Sequence, residues 1–113
     1  MASLFVIQGR DQGKRFNLDA QVVTVGREST NTIQLHDSEV SRQHAEVRQQ
    51  DDGHSITDLE SSNGLFVNDE QVSEQQLRSG DRILIGRSLL LFTGTDDSLS
   101  ADLVSDVDIV GRD

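Results

Sequence analysis

From Leu4 to Thr93 the sequence is a succession of short apolar runs, each closed by a turn signal, and no stretch holds a helical stripe for three turns. Apolar and polar residues alternate instead with the period of two that half-buried strands require. Leu4 to Ile7 reads as a strand, with Gly9-Arg10-Asp11-Gln12-Gly13 as its turn. Phe16-Asn17-Leu18 and Gln21 to Val25 give two more, and Ile33 and Leu35 alternate after a polar loop. Ala45, Val47 and Gln49 share one face of a strand that enters Asp51-Asp52-Gly53, a hairpin turn from which Ser55 to Leu59 pairs back. Leu65-Phe66-Val67, Arg82 to Ile85 and Leu89 to Phe92 complete the set. Strands this short at regular spacing imply an all-β sandwich of two sheets, with the inward residues of both making the core.

The chain has 113 residues, enough for one domain with a real core. Its 20 acidic and 10 basic side chains leave a net charge of -10, which repels a nucleic-acid backbone, and no basic patch offsets it. Nucleic acid is therefore not an expected partner. With no cysteine the sequence offers neither a disulfide framework nor a thiolate metal site, and a reducing, cytoplasmic location is permitted. Met1-Ala2-Ser3-Leu4 lacks a basic leader and no apolar run reaches membrane-spanning length, so neither export nor a membrane partner is expected.

The character changes at Asp96. Residues 96–113 carry six aspartates and one arginine. This tail is read as an acidic linker to further domains of a longer protein. Leu99, Leu103, Val107 and Val110 recur at helical spacing, which leaves a short amphipathic helix as the alternative. The division expected is a domain over 1–95 and a tail over 96–113.

Three polar segments interrupt the strands: Gly26 to Asn31, Ser38 to His44, and Ser61-Ser62-Asn63-Gly64. In a sandwich, loops at the same end converge although distant in sequence. These would present arginine guanidinium groups, hydroxyls and a side-chain amide, the donors phosphate oxygens prefer. In an acidic chain an anion site has to be local and built from such hydrogen bonds.

Gly26-Arg27, Asn31-Thr32-Ile33-Gln34-Leu35, Ser41-Arg42-Gln43-His44, Asp58 to Gly64, Phe66-Val67-Asn68 and Leu77 to Ile83, in this order, resemble the forkhead-associated (FHA) domain. The resemblance covers Leu4 to Phe92. It implies a sandwich of two mainly antiparallel sheets with about eleven strands, binding phosphothreonine-containing proteins or peptides through loops at one end. It also implies that the module works in signalling without catalysis and without a cofactor. Arg27, Ser41 and Ser62 would then contact the phosphate, Arg42 the phosphate or the peptide backbone, and Asn63 the peptide main chain. Gly26, His44, Gly64 and Asn68 match positions that shape the loops. Ser62 stands where threonine is common in the family, and Leu65 replaces a threonine, which removes one loop hydrogen bond. The loop from Asn68 to Ser73 would bear on sequence preference beside the phosphothreonine.

Other readings of the same residues are weaker. Ser41 with His44 suggests a nucleophile and base, but no third group and no nucleophile elbow accompany them. Asp51, Asp52 and His54 lack a fourth metal ligand, and Gly9 to Lys14 has the wrong spacing for a phosphate loop. An adaptor or self-association domain working through a sheet face, with phosphate binding lost or intramolecular through the tail, is the alternative function.

Overall fold

A computed structural model describes residues 2–51 and 53–94. Asp52, the middle of the expected hairpin turn, and the expectations for residues 96–113 lie outside the described residues. The strands are β1 (Ser3–Gln8), β2 (Arg15–Asn17), β3 (Val22–Gly26), β4 (Ile33–Gln34), β5 (Ala45–Gln50), β6 (Gly53–Asp58), β7 (Leu65–Val67), β8 (Glu70–Val72), β9 (Glu74–Leu77), β10 (Arg82–Ile85) and β11 (Ser88–Thr93). They form a six-stranded sheet ordered β2-β1-β11-β10-β7-β8 and a five-stranded sheet ordered β4-β3-β5-β6-β9. The two-residue β4 runs parallel to β3, while the other pairs with a defined register are antiparallel.

The alternation seen in the sequence sets which face is buried. Leu4 and Val6, Val23 and Val25, Ala45 and Val47, Ile83 and Ile85, and Leu90 and Phe92 are all buried, and the two inner faces meet as one core. Register places core residues opposite one another, as in Leu4↔Phe92, Val23↔Val47 and Ile83↔Leu90. The intervening side chains point outward, so a slip of one residue would exchange the faces.

Two strands were invisible to hydrophobic alternation. The segment expected as a loop from Asn68 to Ser73 is a hairpin instead. Asn68 and Asp69 both have positive φ, +52° and +72°, the conformation of a two-residue type I′ turn, and β8 returns along β7. After Ser73 the chain crosses to the other sheet, where β9 pairs with β6. Both strands lie at sheet edges and are mostly exposed, so neither carries an apolar stripe.

This architecture gathers the polar loops. Val25 pairs with Ala45 and Ala45 with Asp58, so the end of β3, the start of β5 and the end of β6 lie side by side. The β3–β4, β4–β5 and β6–β7 connections therefore leave from one end of the sandwich.

Adjacent residues test the face assignment. Ile83→Ala, in the core, is expected to cost about 2–5 kcal/mol, and Leu84→Ala, on the outer face, well under half as much. Urea unfolding of the two variants measures this, and equal losses would contradict the register.

Candidate functional site

Arg27, Ser41, Arg42 and Ser62 line one open concavity with Glu28 and Gln43. The four expected phosphate ligands come from three loops, and hydrogen bonds between those loops fix their spacing. The Arg27 amide donates to the Ser41 carbonyl at 3.0 Å and the Glu28 amide to the Arg42 carbonyl at 3.4 Å. The Arg27 Nε also donates to the Val40 carbonyl at 3.0 Å, which anchors the root of the guanidinium and leaves its terminal nitrogens without a partner among the described residues. The Ser41 hydroxyl oxygen accepts the Ser62 amide proton at 3.0 Å. Its own proton remains available to donate.

His44 lies beneath these loops and is fully buried. Its Nδ1 accepts the Ser41 amide proton at 3.1 Å, so the ring proton belongs on Nε2, which donates to the Gly64 carbonyl at 2.8 Å. Its backbone joins two further segments, donating to the Val25 carbonyl and accepting from the Leu59 amide, each at 2.9 Å. The imidazole thus grips the Ser41 backbone, while the Ser41 hydroxyl pairs with Ser62. That is not the contact a serine nucleophile needs from a general base.

The glycines have steric roles. A Cβ on Gly26 would overlap the Arg42 carbonyl oxygen and lie 2.6 Å from Asn31 Nδ2, so only glycine lets the first two loops approach this closely. Gly64 has φ +88°, which L side chains rarely adopt, and its amide accepts no substitute geometry cheaply because it donates to Ser61 Oγ at 3.0 Å. Ser61 Oγ in turn donates to Asp58 Oδ1 at 2.6 Å. This chain of bonds closes the third loop, and Leu65 beside it points into the core.

Asn63 is exposed and does not line the concavity. Its Nδ2 donates to the Glu39 carbonyl at 2.7 Å and contacts Glu39 Oε1 at 3.3 Å, tying the third loop to the second. Its carboxamide oxygen has no partner among the described residues. Asn68 stands apart from this cluster, in the β7–β8 turn. There its side chain donates to Asp81 Oδ1 and accepts the Arg82 amide proton, both at 3.0 Å.

Sequence reasoning assigned no role to two side chains that hold the site. Buried Asn31 donates from Nδ2 to the Glu28 carbonyl at 2.8 Å and to the Arg42 carbonyl at 2.7 Å, clamping the first loop to the second. Its place within the quoted motif was the available signal. Asp37 accepts from the Glu39 amide (2.9 Å), the Arg87 amide (2.8 Å) and the Ser88 hydroxyl (2.9 Å), fastening the second loop to the β10–β11 turn. Nothing in the local sequence around Asp37 reveals partners fifty residues away.

Burial alone would raise the pKa of Asp37, but the hydrogen bonds from Glu39, Ser88 and Arg87 and the Arg87 charge outweigh it and hold the carboxyl below 3.8. Asp11 behaves likewise: burial opposes ionisation, and bonds from the His36 ring and amide and from Lys14 prevail. Among the described residues no group of three His, Cys, Asp or Glu side chains is placed to hold a metal, and no helix is long and apolar enough to cross a membrane.

The sequence matches the family described as the cytoplasmic domain of the inner membrane component of T3SS over residues 5–96. It is 43% identical over 89 residues to an oxoglutarate dehydrogenase inhibitor of Corynebacterium diphtheriae, a match spanning 79% of this chain and 62% of the relative. It is 40% identical over 91 residues to the glycogen accumulation regulator GarA of Mycobacterium tuberculosis, spanning 80% of this chain and 56% of that protein. The chain thus corresponds to less than two thirds of either relative's length. Among solved structures it superimposes with TM-score 0.76 and 33% identity on a domain from a study of phosphothreonine-dependent FHA domain interactions, covering 81% of this chain and 94% of that one.

The depressed aspartates give a signed pH dependence. Below 3.8 the unfolded chain takes up protons that folded Asp11 and Asp37 still refuse, so their stabilisation is complete above that pH and is lost as pH falls through the lower folded values. Urea unfolding across that range is expected to show stability declining with acid, with a shallower decline in Asp37→Asn. An identical slope in the variant would contradict the assignment.

Proposed function

The chain belongs to the forkhead-associated (FHA) family, of which the cytoplasmic domain matched over residues 5–96 is one type, and from that membership we propose that it recognises phosphothreonine-containing segments of partner proteins and catalyses nothing. The observation that carries this reading is the convergence of Arg27, Ser41, Arg42 and Ser62, drawn from three separate loops, on one concavity.

Each ligand has a physical role. Two guanidinium groups offset the phosphate dianion, and Arg27, anchored through Nε, offers its terminal nitrogens in a fork suited to two phosphate oxygens. The Ser41 hydroxyl, already accepting from Ser62, donates its proton to a third oxygen. Ser62 supplies another hydroxyl, and the Asn63 carboxamide oxygen takes a main-chain amide of an extended peptide. Because the loops are bonded to one another before the ligand arrives, little ordering cost falls on binding. In this reading residues 1–95 are the recognition unit and residues 96–113 an acidic tail or linker.

A second reading draws on the outer face of the six-stranded sheet. Phe5 is 36% exposed there, opposite half-buried Leu91, and the pair could serve self-association in an adaptor that has lost phosphate binding. Sedimentation of the protein separates this from the first reading.

Arg27→Ala is expected to weaken binding of a phosphothreonine peptide by about 2–5 kcal/mol while leaving the melting temperature close to wild type. Calorimetric titration measures this. Equal affinity of variant and wild type would dismiss the site.

A further inference from the structure

The concavity that gathers the expected phosphate ligands is also lined by an acidic residue. Glu28 follows Arg27 directly and lines the same surface as Arg27, Ser41, Arg42 and Ser62. Its backbone is fixed on both sides. The amide donates to the Arg42 carbonyl, and the carbonyl accepts from the Asn31 amide at 3.2 Å and from Asn31 Nδ2 at 2.8 Å. The acidic group therefore rides on a rigid part of the wall.

Two arginines share the concavity, yet among the described residues neither forms an ion pair with Glu28. The carboxylate is left to act on whatever enters.

Beside a bound dianion such a carboxylate is repulsive, and a ligand offsets that repulsion by bringing a cation of its own. Resting on the function proposed above, we infer that Glu28 is a specificity residue: it selects phosphothreonine segments with lysine or arginine next to the phosphothreonine and disfavours those with acidic neighbours. This preference differs from the pull of the acidic surface as a whole. That field acts mainly on association rate, extends over the Debye length and is shared by many side chains. The Glu28 contribution is an equilibrium preference carried by one residue.

The test is equilibrium titration of the full chain with phosphothreonine peptides in which lysine or glutamate is placed in turn at each flanking position. Wild type is compared with Glu28→Gln and with Asp19→Asn. Asp19 is an exposed acid at the opposite end of the sandwich, so its variant makes the same change in net charge away from the site. Wild type is expected to favour lysine over glutamate at one or more positions. Glu28→Gln should shrink that ratio about two- to fivefold, the range for an exposed charge pair, and Asp19→Asn should preserve it. Matched melting curves exclude damage to the fold. An unchanged ratio in Glu28→Gln, or an equal reduction in both variants, overturns the inference. If binding then still depends on Arg27, the function proposed above survives. Failure of every phosphopeptide to bind wild type overturns both.

Discussion

The neutral imidazole of His44 is bonded on both sides, to the Ser41 amide through Nδ1 and to the Gly64 carbonyl through Nε2, with no exposure to solvent. The geometry of the site descends from that pair of bonds. One partner lies in the loop before β5 and the other in the loop before β7, so the ring joins a loop of each sheet at one end of the sandwich. A buried amide or carbonyl without a partner costs about 1–3 kcal/mol. Replacing the ring by an apolar side chain would strand both at once, and the loops would have to move to reach water. Asn31 and Asp37 repeat the device, each a buried or half-buried polar side chain serving two or more backbone groups of distant loops. The site is thus held by polar side chains bonded to the backbone of its loops, while the core beneath it is apolar.

That arrangement answers a problem set by charge. A chain with net charge -10 cannot draw in an anion by its overall field. What it can do is hold two guanidinium groups and two hydroxyls at fixed separations, so that local attraction and directed hydrogen bonds prevail over the long-range repulsion. The Nε bond of Arg27 and the Ser62 bond to Ser41 show the same economy: each uses one hydrogen-bonding position to orient a group and leaves the others facing outward. Glu28 lines the same concavity as these donors.

Much of this was legible in the sequence because the burial pattern follows the pleat. Leu4 and Val6, Val23 and Val25, and Ile83 and Ile85 announce strands by alternation, and the structure buries each of them. β8 and β9 escaped because these edge strands are mostly exposed and each places only one residue against the core; Glu70-Gln71 and Glu74-Gln75-Gln76 look like loop. Asn68-Asp69 after an apolar run was the missed signal, since both residues tolerate the positive φ of a type I′ turn. At the site, Arg27, Ser41, Arg42 and Ser62 were identifiable from their order along the chain and occupy one concavity. Asn63 was expected to hold the peptide main chain; its nitrogen is bonded to the Glu39 carbonyl, and its carboxamide oxygen has no partner among the described residues. The Asp37 clamp depends on contacts with the other sheet about fifty residues away, which no local pattern encodes.

The central claim is that three loops act as a single receptor for a phosphorylated threonine. Amide resonances of the isotopically labelled protein, followed while a phosphothreonine peptide is added, test it most directly. Perturbations should appear together in the segments around Gly26 to Glu28, Val40 to His44 and Ser61 to Gly64, and they should vanish when the same peptide carries an unmodified threonine. Perturbations confined to the outer sheet faces, or the same pattern without the phosphate, would contradict it.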